Sequence, residues 1–167
     1  MTTRLLGTVS WRPITKVLGK GPYACLEVRD IKFGSPEYEA AVQLREKVLR
    51  KPLAMRYNRE DLAKEHSDIH IGIFFEDLIV ASVMLRPEQP IAWMKQVAVN
   101  PALQRKGLGR ILMQGFEARA RAENFTEIHL HARETAVPFY EKLGYTIVSE
   151  QYEEVGLPHH SMFKSLE

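Results

Sequence analysis

The chain has 167 residues, 45% of them hydrophobic and 26% charged, with a net charge of +2. That is enough chain for one domain with a substantial core. The balanced charge gives no electrostatic case for nucleic acid or a membrane surface, and no apolar run approaches the ~18 residues of a spanning helix. The one cysteine, Cys25, rules out an internal disulfide and fits a reducing, cytoplasmic setting.

Residues 1–26 carry Arg4, Arg12, Lys16 and Lys20 and no acid, which leaves −2 for the rest of a chain of net +2. Such a start suits a targeting segment, a basic arm or an extra strand, and an arm or strand is the expectation here. Gly19-Lys20-Gly21-Pro22 is a strong breaker cluster. Residues 1–22 therefore read as an N-terminal extension, loosely structured or an added strand, and residues 23–167 as the domain proper.

Tyr23 to Ile31 alternates and predicts a first strand. Ser35-Pro36-Glu37 opens a helix, with Ser as cap, Pro in the first turn and an acid at the positive end. Tyr38, Ala41, Val42, Val48 and Leu49 share one face of it, and Pro52 ends it. Asn58 or Asp61 starts a short second helix running to Glu65. Ile69–Phe75 and Leu78–Leu85 are strands joined at Glu76-Asp77, and Ile91–Val99 is another.

A long helix begins near Leu108. Leu108, Ile111, Leu112, Gly115 and Phe116 make its buried stripe, with Gln114, Glu117 and Arg121 toward water. Glu127–His131 is a strand. Ala136–Leu143 is a helix that Gly144 can cap. Tyr145–Tyr152 and His159–Lys164 complete the set around Gly156-Leu157-Pro158. Hairpin-like strands precede β-α-β-α-β units, which argues for one mixed sheet with helices on both faces.

The loop Gln104-Arg105-Lys106-Gly107-Leu108-Gly109-Arg110 lies between a strand end and a helix start. Glycines permit close backbone approach, and a helix N-terminus offers unpaired N–H groups and partial positive charge. Arg105, Lys106 and Arg110 add three formal positives, so the loop suits a pyrophosphate. It lacks the Gly-Lys-Ser/Thr of a Walker loop, and Leu112 stands where a dinucleotide fingerprint needs its third glycine.

The Gln-x-x-Gly-x-Gly pattern of Gln104 to Gly109 resembles the acyl-CoA pyrophosphate loop of the GNAT superfamily of N-acyltransferases. Lys95-Gln96-Val97-Ala98-Val99-Asn100-Pro101 is similar to the strand that leads into that loop. Phe139-Tyr140-Glu141-Lys142-Leu143-Gly144-Tyr145 is similar to the family's Phe-Tyr-x-x-x-Gly-Tyr/Phe segment. The resemblance spans roughly residues 24–164. Leu44 to Arg50 and Glu153 to Met162 resemble one subset of small bacterial members. One departure is Arg133-Glu134-Thr135, standing where many members place a cofactor-touching Asn; that contact is lost or passes to Thr135.

The resemblance implies a single mixed, partly parallel twisted α/β sheet of about six to seven strands with helices on both faces. It implies a V-shaped splay between the fourth and fifth core strands, here Met94–Val99 and Glu127–His131. Acetyl-CoA would be the cosubstrate and an unidentified amine the acceptor. Val97, Ala98 and Val99 would pair with the pantetheine arm, and an N–H near Val97 would polarise the thioester carbonyl. The loop from Gln104 to Arg110 would hold the pyrophosphate, with Thr135 and Phe139 beside it and Tyr140 as the acid for the departing thiolate.

The implied reaction is direct amine attack in a ternary complex. The alternative is a module that keeps CoA as a ligand and transfers nothing. An alkyl amine of pKa near 10.4 is only about one part in 2,500 neutral at pH 7, worth about 4.6 kcal/mol of barrier, so removing its proton is the larger problem. Glu76, His70, His131, Glu134, Glu153 and His159 are all candidate bases, as is a water chain. His129 and His131 share a strand face but are too few to hold a metal, and none is expected. Trp11 and Trp93 read as packing residues, with an acceptor-pocket role also open to Trp93. Oligomeric state stays open between monomer and homodimer.

Overall fold

The computed structural model describes residues 14–16 and 26–167. The breaker cluster, Trp11, Cys25 and the expected boundary after residue 22 lie outside the described residues. β1 (Ile14–Lys16) pairs antiparallel with β2 (Leu26–Ile31), Ile14 opposite Val28. α1 (Pro36–Arg45) starts as expected: the Ser35 hydroxyl accepts from the Tyr38 N–H at 3.1 Å, with Pro36 in the first turn. Tyr38, Ala41 and Val42 are buried, and so are Leu44 and Arg45.

The helix does not run straight to Pro52. It widens into a π-helical turn, Glu46–Arg50, and tightens into a 3-10 turn, Lys51–Leu53, that ends at left-handed Ala54. α2 (Arg59–Ala63) follows, capped by Asn58, which accepts from the Asp61 N–H at 2.7 Å.

β3 (Ile69–Phe75), β4 (Leu78–Glu88) and β5 (Ile91–Val99) form an antiparallel meander. α3 (Leu108–Ala122) is the crossover to β6 (Glu127–Arg133), which pairs parallel with β5. α4 (Val137–Lys142) leads to β7 (Thr146–Ile147), β8 (Tyr152–Glu154) and β9 (Leu157–Ser165).

The sheet order is β1-β2-β3-β4-β5-β6-β9-β7, with β8 also on β9. It is one mixed sheet with a single parallel pair among the described residues. The expected Tyr145–Tyr152 strand is divided in two, because at Ser149 the chain leaves the ladder and its hydroxyl accepts from the Ser161 N–H at 2.8 Å. That division and β1 account for nine strands where about six to seven were expected.

The two faces carry different layers. The larger core joins α3 and α4 to one face through Leu112, Phe116, Met94, Leu130 and Tyr140. The expected α3 stripe is buried, and Gly115 is required for space: a Cβ there would meet Val28 Cγ1 at 2.6 Å. Glu117 differs from expectation. Its carboxylate accepts from Tyr145 Oη at 3.1 Å and Lys164 Nζ at 2.9 Å, so it ties α3 to α4 and β9 rather than facing water.

On the other face a smaller core sits under α1 and α2, built from Tyr38, Ala41, Val42, Leu62 and Phe74. A buried ion pair fastens it. Arg45 donates to both carboxylate oxygens of Glu65 at 3.0 and 2.8 Å, and Tyr38 Oη donates to the same carboxylate at 2.8 Å. Burial, reinforced by the bond to Glu65, pushes the Tyr38 hydroxyl pKa well up. His70 Nε2 donates to the Glu65 carbonyl at 2.9 Å.

Removing one member of a buried pair strands the other charge, at about 3 kcal/mol or more. Glu65→Ala is therefore expected to lower stability by that amount in denaturant melts, with Arg45 side-chain exposure of only 1% as the reason. A loss below about 1 kcal/mol would mean that water already reaches Arg45. We also propose that a chain starting at Tyr23 folds, since every core residue named above follows it; its melting temperature should drop modestly through an unpaired β2 edge, and an insoluble product would make residues 1–22 integral.

Candidate active site

The parallel pairing of β5 and β6 is short. It runs from Ile91 opposite Glu127 to Met94 opposite Leu130 and stops, although β5 continues to Val99 and β6 to Arg133. The strands therefore part at the place where the splay was expected. On its other edge β5 bulges. Ser82 faces Ala98 and Met84 faces Lys95, so Gln96 and Val97 together oppose Val83, with Gln96 in the left-handed region at φ 56°. A bulge of this kind adds local twist and releases backbone groups from the ladder. Val97 and Val99 are partly buried against the larger core, and Ala98 is buried in the smaller one. Gln96 turns to the α1 side, where it accepts a hydrogen bond from Tyr57 Oη.

Beyond Val99 the chain rounds a 3-10 turn, Pro101–Leu103, held by Asn100 Oδ1 on the Ala102 N–H at 3.0 Å. Gln104 Nε2 donates back to the Val99 carbonyl at 3.5 Å. Arg105 and Gly107 are both left-handed, at φ 64° and 82°. Gly107 is the N-cap of α3, and no side chain caps the helix there. The first bond within the helix is Ile111 N–H to the Gly107 carbonyl, 3.2 Å, so the N–H groups at the start of the helix have no side-chain acceptor. Arg105, Lys106 and Arg110 are exposed around them, while Leu108 is buried and anchors the turn.

The two glycines differ. A Cβ at Gly107 would meet nothing within 4 Å, so only its positive φ demands glycine. A Cβ at Gly109 would lie 3.1 Å from Phe139 Cζ. Gly109 thus makes room for the Phe139 ring, which seats α4 on the start of α3.

Phe139 packs on Tyr140, ring centroids 5.1 Å apart, and Tyr140 on Tyr145 at 5.6 Å. Tyr140 is 5% exposed, and its hydroxyl makes no hydrogen bond among the described residues. Burial raises its pKa far above the ordinary phenol value. It belongs to the same core cluster against which Val97 and Phe139 pack. Thr135 is exposed in the 3-10 turn between β6 and α4. Val97, Val99, Phe139 and Tyr140 thus lie on the α3–α4 side of the sheet, whereas Ala98 points to the α1 side.

The candidate bases separate. Glu76, Glu134 and Glu153 are exposed, in the β3–β4 turn, the turn after β6 and β8 respectively. His70 and His159 are buried, and each ring donates to a backbone carbonyl. His131 is the first residue of β6 beyond its last pairing with β5. Leu130 and Ala132 point into the larger core, so His131 faces the other way, against Trp93 at 5.6 Å and Tyr152 at 5.7 Å. Glu154 Oε1 lies 3.3 Å from its Nδ1. No group of three or more His, Cys, Asp or Glu suited to a metal occurs among the described residues, and none of their helices is long and apolar enough to cross a membrane.

The parted parallel strands, the helix start without a side-chain cap and the exposed cations beside it form one continuous candidate site. The model of the acetyltransferase (GNAT) domain matches residues 39–166, and the chain belongs to that family. It is 31% identical to the Bacillus subtilis protein YyaT over 97 residues, 58% of this chain and 66% of that one. It is 28% identical to the uncharacterized N-acetyltransferase YjcF of the same organism over 125 residues, 74% of this chain and 89% of that one. Among solved structures, a candidate N-acetyltransferase from Lactobacillus plantarum superposes with a TM-score of 0.76 at 26% identity, covering 85% of this chain and 99% of the other.

The loop assignment is open to a direct test. In Gly107→Val the Cβ meets no neighbour, but a β-branched residue must be held at φ 82°, a local strain of about 1–2 kcal/mol. We expect a folded protein whose affinity for CoA, read by calorimetry, falls tenfold or more. Unchanged affinity would remove the loop from the binding site.

Proposed function

We propose that this chain transfers an acetyl group from acetyl-CoA to a primary amine of a small molecule or peptide, by direct attack within a ternary complex in the cytoplasm. One observation carries the reading: the β5–β6 splay opens beside the uncapped, glycine-bearing start of α3. Members of the family use an acyl-CoA donor, and the residues here fit one. The N–H groups at the head of α3, with Arg105, Lys106 and Arg110, suit a pyrophosphate, and Gln104 braces the loop on Val99. The freed edge from Val97 to Val99 suits an extended amide arm, with Thr135 and Phe139 along its far side.

Acetyl-CoA supplies an activated carbonyl and a good leaving group. The chain's part is to aim the Val97 N–H at the carbonyl oxygen, take a proton from the amine and return one to sulfur. Tyr140 is suited to the last task, because burial keeps its hydroxyl protonated. For the amine, the reading favours His131. It stands at the mouth of the splay on the face opposite Tyr140, with its Nδ1 beside Glu154 and its ring free to accept the proton of an amine.

Tyr140→Phe tests this division. The hydroxyl has no internal partner, so its loss should leave the melting temperature and the KM for acetyl-CoA nearly unchanged. The rate constant kcat should fall ~10²-fold, the low end for a positioned acid, because a thiolate needs little help. Since the Tyr140 pKa is raised above 10.0, the wild-type acid stays protonated throughout the neutral range and contributes no descending limb below about pH 10. Full activity of the variant across that range would make Tyr140 a packing residue.

A further inference from the structure

Two arginines stand five residues apart at the end of α1 and meet opposite fates. In a regular α-helix such a pair would point about 140° apart. The π-helical turn Glu46–Arg50 changes that spacing. Arg45 and Arg50 both lie over the Tyr57 ring, their guanidinium carbons 4.7 and 4.8 Å from its centroid. Arg45 is neutralised by the bidentate bond to Glu65. The Arg50 side chain makes no ion pair and no hydrogen bond among the described residues. It is half-buried; its Nε, like that of Arg45, is sealed with no acceptor, but unlike Arg45 it has no partner for its terminal nitrogens either.

A half-buried guanidinium whose terminal N–H groups find no acceptor in the chain is costly to hold in place. The flanking sequence is short of anions. From Arg45 to Arg56 the chain carries Arg45, Lys47, Arg50, Lys51 and Arg56 against Glu46 alone. The position of Arg50 is also informative. The Tyr57 ring it covers donates its hydroxyl to Gln96, the left-handed residue of the β5 bulge, next to Val97. This cluster lies on the α1 side of the sheet, the side to which His131 and Trp93 also point.

We propose that Arg50 receives an anionic group of the acceptor, so that the substrate is an amine that also carries a carboxylate or a phosphate. The planar fork of Arg50 would close on two oxygens of that group, with Tyr57 fixing the guanidinium from below. The amine then reaches the splay beside His131. Polycationic amines would meet the basic rim of Arg50, Lys51 and Arg56 and be disfavoured. This specificity rests on the transferase reading of the splay.

Matched pairs of amines test it by thiol release: L-amino acids against their carboxamides, and glucosamine 6-phosphate against glucosamine. One anionic member should exceed its neutral partner in kcat/KM by about tenfold or more, the scale of a charge-assisted bidentate contact. In Arg50→Gln the gap should shrink to twofold or less with the KM for acetyl-CoA unchanged, and Arg50→Lys should fall between. The arm that shows the gap tells carboxylate from phosphate. Neutral partners used equally well, or a gap that survives Arg50→Gln, would overturn the proposal. Should Arg50→Gln fail to fold, Arg50→Lys carries the comparison. Calorimetry of the same anionic amines with the CoA-bound protein separates the two readings. Binding that depends on Arg50 without turnover keeps the pocket and removes the transferase. Turnover of neutral amines alone, with no such binding, does the reverse.

Discussion

β5 has to serve two ladders at once. Along one edge it pairs antiparallel with β4 as far as Val99 opposite Ala81, and along the other it pairs parallel with β6 only from Ile91 to Met94. The extra residue at Gln96–Val97 lets both conditions hold. It keeps the β4 ladder in register on either side and adds twist that carries the end of β5 away from β6. A strand edge opened in this way is ordinarily a liability, since unpaired backbone groups seek a partner. Here the gap is flanked by the first turn of α3 and by α4, so it would suit a ligand that is extended, hydrogen-bonding and anionic at one end.

The two core clusters then sort the chemistry by face. Val97, Phe139 and Tyr140 belong with α3 and α4, whereas Gln96, Tyr57, Arg50, Trp93 and His131 lie on the α1 side. Donor and acceptor would approach through opposite faces of the same gap. The energetics of acyl transfer fit this division. Freeing an alkyl amine of its proton at pH 7 is a barrier of about 4.6 kcal/mol, while a thiolate departs with little assistance. Under the proposed reading the larger demand would fall on the more accessible face, where His131 has a carboxylate at 3.3 Å. The smaller would fall on a buried phenol with no internal partner.

Much of this was legible in the residues. Ser35-Pro36 and Asn58 cap their helices as local chemistry dictates, and the α3 stripe from Leu108 to Phe116 is buried as its spacing requires. The splay came only from resemblance, since no periodicity reports where two strands part. Interactions distant in sequence were not legible. Glu117 sits where α3 should meet water, and only the arrival of Tyr145 and Lys164 makes it a joint between elements. Gly109 looked like a place for a ligand, and the Phe139 ring thirty residues on explains it equally well. The polar pair Lys95-Gln96 inside an apolar strand was a readable sign of the bulge, because a regular strand at that depth has little use for two adjacent polar residues.

The π-helical turn could not be read either, because Glu46 to Arg50 has ordinary helix formers throughout. What widens the helix is packing after Arg45. That side chain is held by Glu65, by Met84 Sδ at 3.3 Å and by the Tyr57 ring, so the last turn of α1 cannot rotate to suit its own continuation. The wider turn satisfies the chain and brings Arg50 to the same ring. Tyr57 is thereby shared: two guanidiniums cover it, and its hydroxyl holds the one residue of β5 with a left-handed backbone. A side chain outside the sheet thus fixes the conformation that opens the sheet. The cost of a non-glycine residue at φ 56°, about 1–2 kcal/mol, is comparable with what one well-placed hydrogen bond to it returns. The Tyr57–Gln96 bond therefore links the bulge that shapes the gap to the cluster that carries Arg50.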